Sequence, residues 1–383
     1  MPNQPLLAQP ASVRIVAEDP FEQLLDRYLA GWAERERALE GAQSCRLPPE
    51  TVQEFRASGV LAAPIPRALG GAGADLQMAT RALQRVARVA PSTALCLAMP
   101  LGNAANTRLP DDAVAPTLRL ALARGRAWIA HKVSAGAILA VANSEPGAGG
   151  DLANTRTKVL LDGDGTLRIS GEKSFATLGP DADYFLCAAR LADGTLDAFF
   201  VASSAPGVTV REDFRALGLR PTASVGLSLK DAPAEAVFVY PGAIGSVNAR
   251  HWSTLLLASV LVGIGEGALE AATACAPRSS SWVRATLADC ALALDAASGF
   301  VQAVAQSDQI PCTERVAERF RRAKTFAARA AWDTATRVMS VSGGQAYRPG
   351  HAVARYLLDA AAGPLLRPPL AAAMDSIASE LCD

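Results

Sequence analysis

Asn143-Ser144-Glu145-Pro146-Gly147-Ala148-Gly149-Gly150-Asp151 ends a strand-like run and breaks it with a proline and three glycines. Backbone without Cβ atoms lets a ligand approach closely, and Ser144 supplies a hydroxyl at that point. Further on, Gly171-Glu172-Lys173-Ser174-Phe175-Ala176-Thr177 ends a second run, again on a hydroxyl, Thr177. Short apolar runs meet at Asp162-Gly163-Asp164-Gly165 and around Ala192-Asp193-Gly194, both hairpin signals. Short strands with no helices between them predict an antiparallel barrel or sandwich over residues 125–242. In this reading residues 127–143 are strand-like, and His131 alternates with apolar residues as a structural side chain.

Outward from this block the period changes to that of helices. In residues 15–124, Phe21, Leu24, Leu25, Tyr28, Leu29 and Trp32 fall at helical spacing with charges opposite. Pro49 and Glu50 open a second helix that closes at Gly59. Asp75 is placed to cap a third, and two more follow, the last read as ending at Gly125. Residues 243–383 hold long apolar helices joined by short loops, the pattern of an up-and-down four-helix bundle. The fold expected is mainly α with a central β domain.

Composition excludes several classes of function. Thirty-seven basic residues balance thirty-seven acidic ones, so no nucleic-acid surface is expected. Hydrophobic residues make up 50% and aromatics 5%, which predicts a core of Ala, Leu and Val. No uninterrupted apolar run has membrane-spanning length, and no charged start precedes an apolar block, so a cytoplasmic location is expected. Seven cysteines, none in a CxxC pair, argue against a metal site or a disulfide framework.

Five motifs in order resemble those of the acyl-CoA dehydrogenase family of flavoproteins. They are the connector Gly59–Gln77, the two stretches quoted above, Leu217-Gly218-Leu219-Arg220, and Ser342-Gly343-Gly344-Gln345-Ala346-Tyr347. The resemblance implies a helical N-terminal domain, a middle β-barrel, a C-terminal four-helix bundle and FAD as cofactor. It implies that Asn143 and Ser144 hold the pyrimidine edge of the flavin, and that Phe175 packs on the ring. Ala176 and Thr177 reach its N5 side, and Gly343, Gly344 and Gln345 line the nucleotide half of a neighbouring subunit's cofactor.

This chain departs from the family at the catalytic positions. The family's glutamate base stands eight residues beyond an aspartate matched here by Asp359, and that count lands on Arg367. The alternative base position, on the first bundle helix, falls on Ser253. Arginine stays protonated and cannot replace a carboxylate base. The resemblance also puts Gly150 where the family has a serine, and His251 and Thr254 where it has a thioester-binding pair. Arg367 and His251 are the expected catalytic residues; Gly150, Ser253 and Thr254 are expected to bind substrate. Only Arg278 or Arg284 stands where the family's arginine reaches a neighbour's FAD.

The function expected is a flavin-dependent oxidoreductase with non-standard, oxidase-like or monooxygenase-like chemistry in biosynthetic metabolism. The alternatives are an acyl-CoA or acyl-carrier dehydrogenase with a relocated base, and a non-catalytic partner subunit. A Rossmann fingerprint is absent from the sequence, so a separate reductase or electron acceptor is expected. A homodimer or homotetramer is expected too.

Overall fold

The computed structural model describes residues 20–39, 44–211, 214–235, 237, 239–241, 252–277, 279–309 and 314–382. The N-terminal helices are α1 (Pro20–Ala38), α2 (Pro49–Ala57), α3 (Leu76–Val89), α4 (Pro91–Ala105) and α5 (Arg119–Ser134). Asp75 caps α3 as expected, its carboxylate accepting from the Met78 amide at 2.8 Å.

Helix α5 overturns the strand reading of residues 127–134. Its buried residues are Leu122, Gly125, Ile129, Ala130 and Val133, a spacing of three and four that only a helix puts on one face. Gly125 lies inside the helix rather than at its end, and His131 is an exposed helical residue. Trp128 fixes α5 to the sheet, stacking on Phe200 at 4.7 Å and meeting Tyr184 edge-on at 5.0 Å.

The β domain is one curved sheet of seven strands: β1 (Leu139–Val141), β2 (Lys158–Leu161), β3 (Leu167–Ala176), β4 (Tyr184–Arg190), β5 (Leu196–Ala202), β6 (Val208–Arg211) and β7 (Val225–Pro233). The path is β1-β4-β2-β3-β7-β6, with β5 paired to β4. Both Asp-Gly signals make the hairpins they predict, β2–β3 and β4–β5. The sheet is not wholly antiparallel: β1 and β2 both run parallel to β4. Strand β1 enters from a helix, so no tight turn forces it to reverse against its neighbour.

The C-terminal helices are α6 (Trp252–Cys275), α7 (Ser281–Ala305), α8 (Glu314–Val341), α9 (Ala352–Ala360) and α10 (Leu370–Cys382). Helix α6 is the axis of the molecule and packs against α3 and α4 as well as α7, α8 and α9. One hydrophobic core therefore runs through both helical segments, while the sheet encloses a smaller one around Val159, Phe185, Phe199 and Leu227. His351 caps α9, its Nδ1 accepting from the Val353 amide.

Helices α6 and α7 are long and apolar enough to cross a membrane by length and composition, although the sequence reading expected no such run. The α6 window is 78% buried inside the protein, which marks a core helix. The α7 window is only 28% buried and leaves Trp282 and Leu292 exposed.

Candidate functional site

Strand ends, the 217–224 loop, α4, α6 and the 361–369 turn enclose a cavity of about 1290 Å³. Of the residues expected to form the site, Asn143, Ser144, Gly150, Phe175, Thr177, Ser253, Thr254 and Arg367 all line it. Ala176 points the other way, its side chain in the sheet's core. Gly343, Gly344 and Gln345 lie exposed at the end of α8 and do not line this cavity. His251 and Arg278 fall outside the described residues.

A buried ion pair holds the Ser144–Asp151 turn. Lys173 Nζ donates to Glu145 Oε1 at 2.8 Å and to the Ala188 carbonyl at 2.7 Å. Thr157 Oγ1 and the Arg156 amide donate to the same carboxylate. Burial works against the Glu145 carboxylate, but these bonds outweigh it and hold the group down at about 2. The Ser174 amide donates to the Ser144 carbonyl at 2.8 Å, so the two motif stretches are stitched side by side. The motif reading assigned Glu145 and Lys173 no role. A lysine at an inward position of a strand was the available signal, because such a charge needs a partner.

The opposite wall rests on Asp359. Its Oδ1 accepts from the Leu219 amide at 2.6 Å, and burial raises its pKa to about 7. Gly218 lies so close to the Leu358 carbonyl that a side chain there would collide with backbone. Thr222 Oγ1 donates to the Leu219 carbonyl at 2.8 Å. Ser224 bridges Thr222 and Thr177, at 2.9 and 3.0 Å. Neither Thr222 nor Ser224 was singled out in the sequence.

Arg367 lies in the cavity wall, half-buried, and burial lowers the pKa of its guanidinium while Asp151 opposes that shift. The turn that carries it is held from below by Lys324. This lysine is fully buried, and its ammonium donates to the carbonyls of Gly363, Leu366 and Pro368 at 3.0, 2.5 and 2.9 Å. Burial pushes its pKa down to about 7. Among the described lining residues the sole carboxylate is Asp151, set against Arg215, Arg321 and Arg367. Arg321 is paired with Glu380. No cluster of metal-ligating side chains occurs among the described residues.

The wall suits a flat polycyclic cofactor. Phe175 is an aromatic face left 57% exposed at the cavity, Thr177 offers a hydroxyl, and Asn143 offers its amide group. Its carbonyl oxygen accepts from the Ala188 amide, which leaves the NH₂ as the donor for a ligand.

Three family profiles match the chain: the acyl-CoA dehydrogenase N-terminal domain over residues 20–108, the middle domain over 140–232 and the C-terminal domain over 255–365. The chain is 26% identical to an amino sugar nitrososynthase of Streptomyces rubradiris, over 94% of this chain and 89% of that protein. It is 27% identical to the short-chain specific mitochondrial acyl-CoA dehydrogenase of Bos taurus, over 88% and 84%. The fold also matches KijD3, solved in complex with FMN and dTDP-3-amino-2,3,6-trideoxy-4-keto-3-methyl-D-glucose, at a TM-score of 0.80 and 24% identity, covering 96% of this chain and 95% of that one. With all three domains matched in order and three of the five motifs, 143–151, 171–177 and 217–220, brought to one cavity, the chain belongs to the acyl-CoA dehydrogenase family of flavin-dependent oxidoreductases.

Proposed function

We propose that this protein is a flavin-dependent monooxygenase acting on a small biosynthetic substrate, and that an amine of a nucleotide-linked sugar is the first class to test. The observation that carries the reading is Arg367 in the cavity wall, on a turn held by Lys324; the count from Asp359 matches it to the family's glutamate. α,β-Desaturation begins with loss of a weakly acidic proton and needs a placed base; a guanidinium cannot take it. The nitrososynthase relative supports the choice of substrate class. Arg215 and Arg367 on the cavity suit a phosphate-bearing ligand.

Phe175, Asn143, Ser144 and Thr177 would hold the flavin ring. A bound flavin would supply two electrons delivered by a separate reductase, so that one atom of O2 enters the substrate and the other leaves with two protons as water. Arg367 orients an anionic or carbonyl group of the substrate. Leu95, Met99, Leu186 and Leu257 line the same cavity and keep bulk water from the reacting atoms. FAD is the cofactor the family implies; Gly343–Gln345, exposed on this chain, would serve a neighbouring subunit of a homo-oligomer.

The test supplies flavin, a reductase, oxygen and a thymidine diphosphate-linked amino sugar. The expected result is substrate-dependent oxygen uptake with a product heavier by oxygen. Rapid anaerobic bleaching of bound flavin by straight-chain acyl-CoA would overturn the reading. The same experiment on Asp151→Asn, which removes the lone carboxylate among the described lining residues, then tests the desaturase: loss of that bleaching would identify Asp151 as its base.

A further inference from the structure

The hydroxyls of Thr177, Ser224 and Thr222 form a chain in the cavity wall, and one end fixes its direction. Each hydroxyl has a single proton to donate. Thr222 Oγ1 lies 2.8 Å from the Leu219 carbonyl, a group that only accepts, so the Thr222 proton is committed to it. In the 2.9 Å bond between Ser224 and Thr222 the donor is then Ser224. In the 3.0 Å bond between Thr177 and Ser224 the donor is Thr177. Thr222 is 1% exposed and Ser224 9%, so little water competes for these bonds. The anchoring carbonyl is fixed as well: the Leu219 amide is bound to Asp359, and Leu219 has a φ of +50°. A leucine in that region stays there only when its surroundings hold it.

We infer that this chain makes Thr177 a hydrogen-bond acceptor toward the cavity, and that the site selects the reduced, N5-protonated flavin over the oxidised one. The inference rests on the flavin reading and on Thr177 meeting the N5 edge. Oxidised flavin presents a bare N5 with a lone pair, which meets the lone pairs of Thr177. Reduced flavin presents an N–H, which Thr177 accepts. Turning the Thr177 proton outward would break its bond to Ser224, and an ordinary hydrogen bond of this kind corresponds to about a three- to tenfold change in an equilibrium. A protein built this way takes its flavin in the reduced state from a reductase and releases it more readily once oxidised.

The test is an anaerobic titration of the full chain with oxidised and dithionite-reduced FMN and FAD. Wild type is expected to bind the reduced form at least about threefold tighter. Ser224→Ala removes the acceptor for the Thr177 proton and frees it to face the oxidised ring, so the reduced-to-oxidised preference falls by about three- to tenfold. Thr222→Val releases the Ser224 proton toward Thr177, and the preference falls in the same direction. Thr177→Val abolishes the difference between these backgrounds. Tight binding of both forms with equal affinity in wild type overturns the inference and leaves the flavin reading standing. A preference that Ser224→Ala and Thr222→Val both leave unchanged does the same. Binding of neither form by wild type overturns the flavin reading, and the inference falls with it.

Discussion

The Pro369 ring occupies the space that a side chain at residue 150 would need: a Cβ on Gly150 would sit 2.7 Å from Pro369 Cγ. Gly150 also has a φ of +80°, a conformation that L-residues with a Cβ rarely adopt. Gly150 and Pro369, two residues beyond Arg367, are two halves of one fit. Gly150→Ser is expected to destabilise the protein by about 1–2 kcal/mol from backbone conformation alone, read as a fall in the melting midpoint. Adding Pro369→Ala should recover the packing part and leave the conformational part.

Arg367→Ala is expected to lower kcat/KM at least about tenfold while folding and flavin content stay normal, since a hydrogen bond to a charged group contributes about 1.5–3 kcal/mol. Arg367→Lys should recover only part, because the planar fork is lost. Parental turnover in the alanine variant would remove Arg367 from the site.

Lys324→Met strips the donors from the carbonyls of Gly363, Leu366 and Pro368. Orphaned groups of this kind cost about 1–3 kcal/mol each, partly offset by removing a buried charge. KM should rise as the Arg367 turn loosens, with less effect on flavin content. The pH profile separates this from a general loss of stability. With its pKa lowered by burial to about 7, the folded lysine is the three-donor ammonium below that pH and gives up a proton, and one donor, above it, where the unfolded chain still holds its own, so this group makes stability rise from pH 7 toward about 10.4. Urea midpoints across that range should slope upward in wild type and be flatter in Lys324→Met.

Asp359 runs the opposite way. Its pKa is raised to about 7 by burial, so the folded state holds a proton that the unfolded state loses near 3.9. The stability from this group is full below about pH 4 and is lost as pH rises to 7. Asp359→Asn keeps an oxygen for the Leu219 amide and should flatten stability between those limits. Asp359→Ala should instead weaken flavin binding by freeing the 217–224 loop.

Trp282 and Leu292 on α7 are 71% and 69% exposed, an apolar face that self-association would cover. Light scattering at micromolar concentration is expected to show a dimer or larger, and Leu292→Asp should shift it toward monomer. A wild-type monomer would end this expectation.

Much of the site was legible because ligand-facing residues sit on turns whose glycines and hydroxyls are fixed in sequence order. The family resemblance put Asn143, Ser144, Phe175, Thr177 and Arg367 at the site, and all five line one cavity. Residues that act through others were not. Lys324 stands in a helix of many charges, and nothing in its neighbours tells a buried lysine from a solvated one. Ser224 gains its role from a hydroxyl 47 residues away, and Thr222 acts through Ser224. Helix α5 was misread because Ala and Gly, small enough for either face, blur the helical period around Ile129 and Val133.

The core shared by α3, α4 and α6 has a cost during synthesis. Helix α3 ends at Val89 and α6 begins at Trp252, so the ribosome must add the whole β domain before the first helices meet the surface they pack on. At about 5–20 residues per second that interval is roughly 10–30 s. During it the apolar faces of Leu76, Leu83, Leu97 and Leu101 have no partner from the bundle, which makes the nascent chain's first hundred residues the segment most dependent on chaperone shelter.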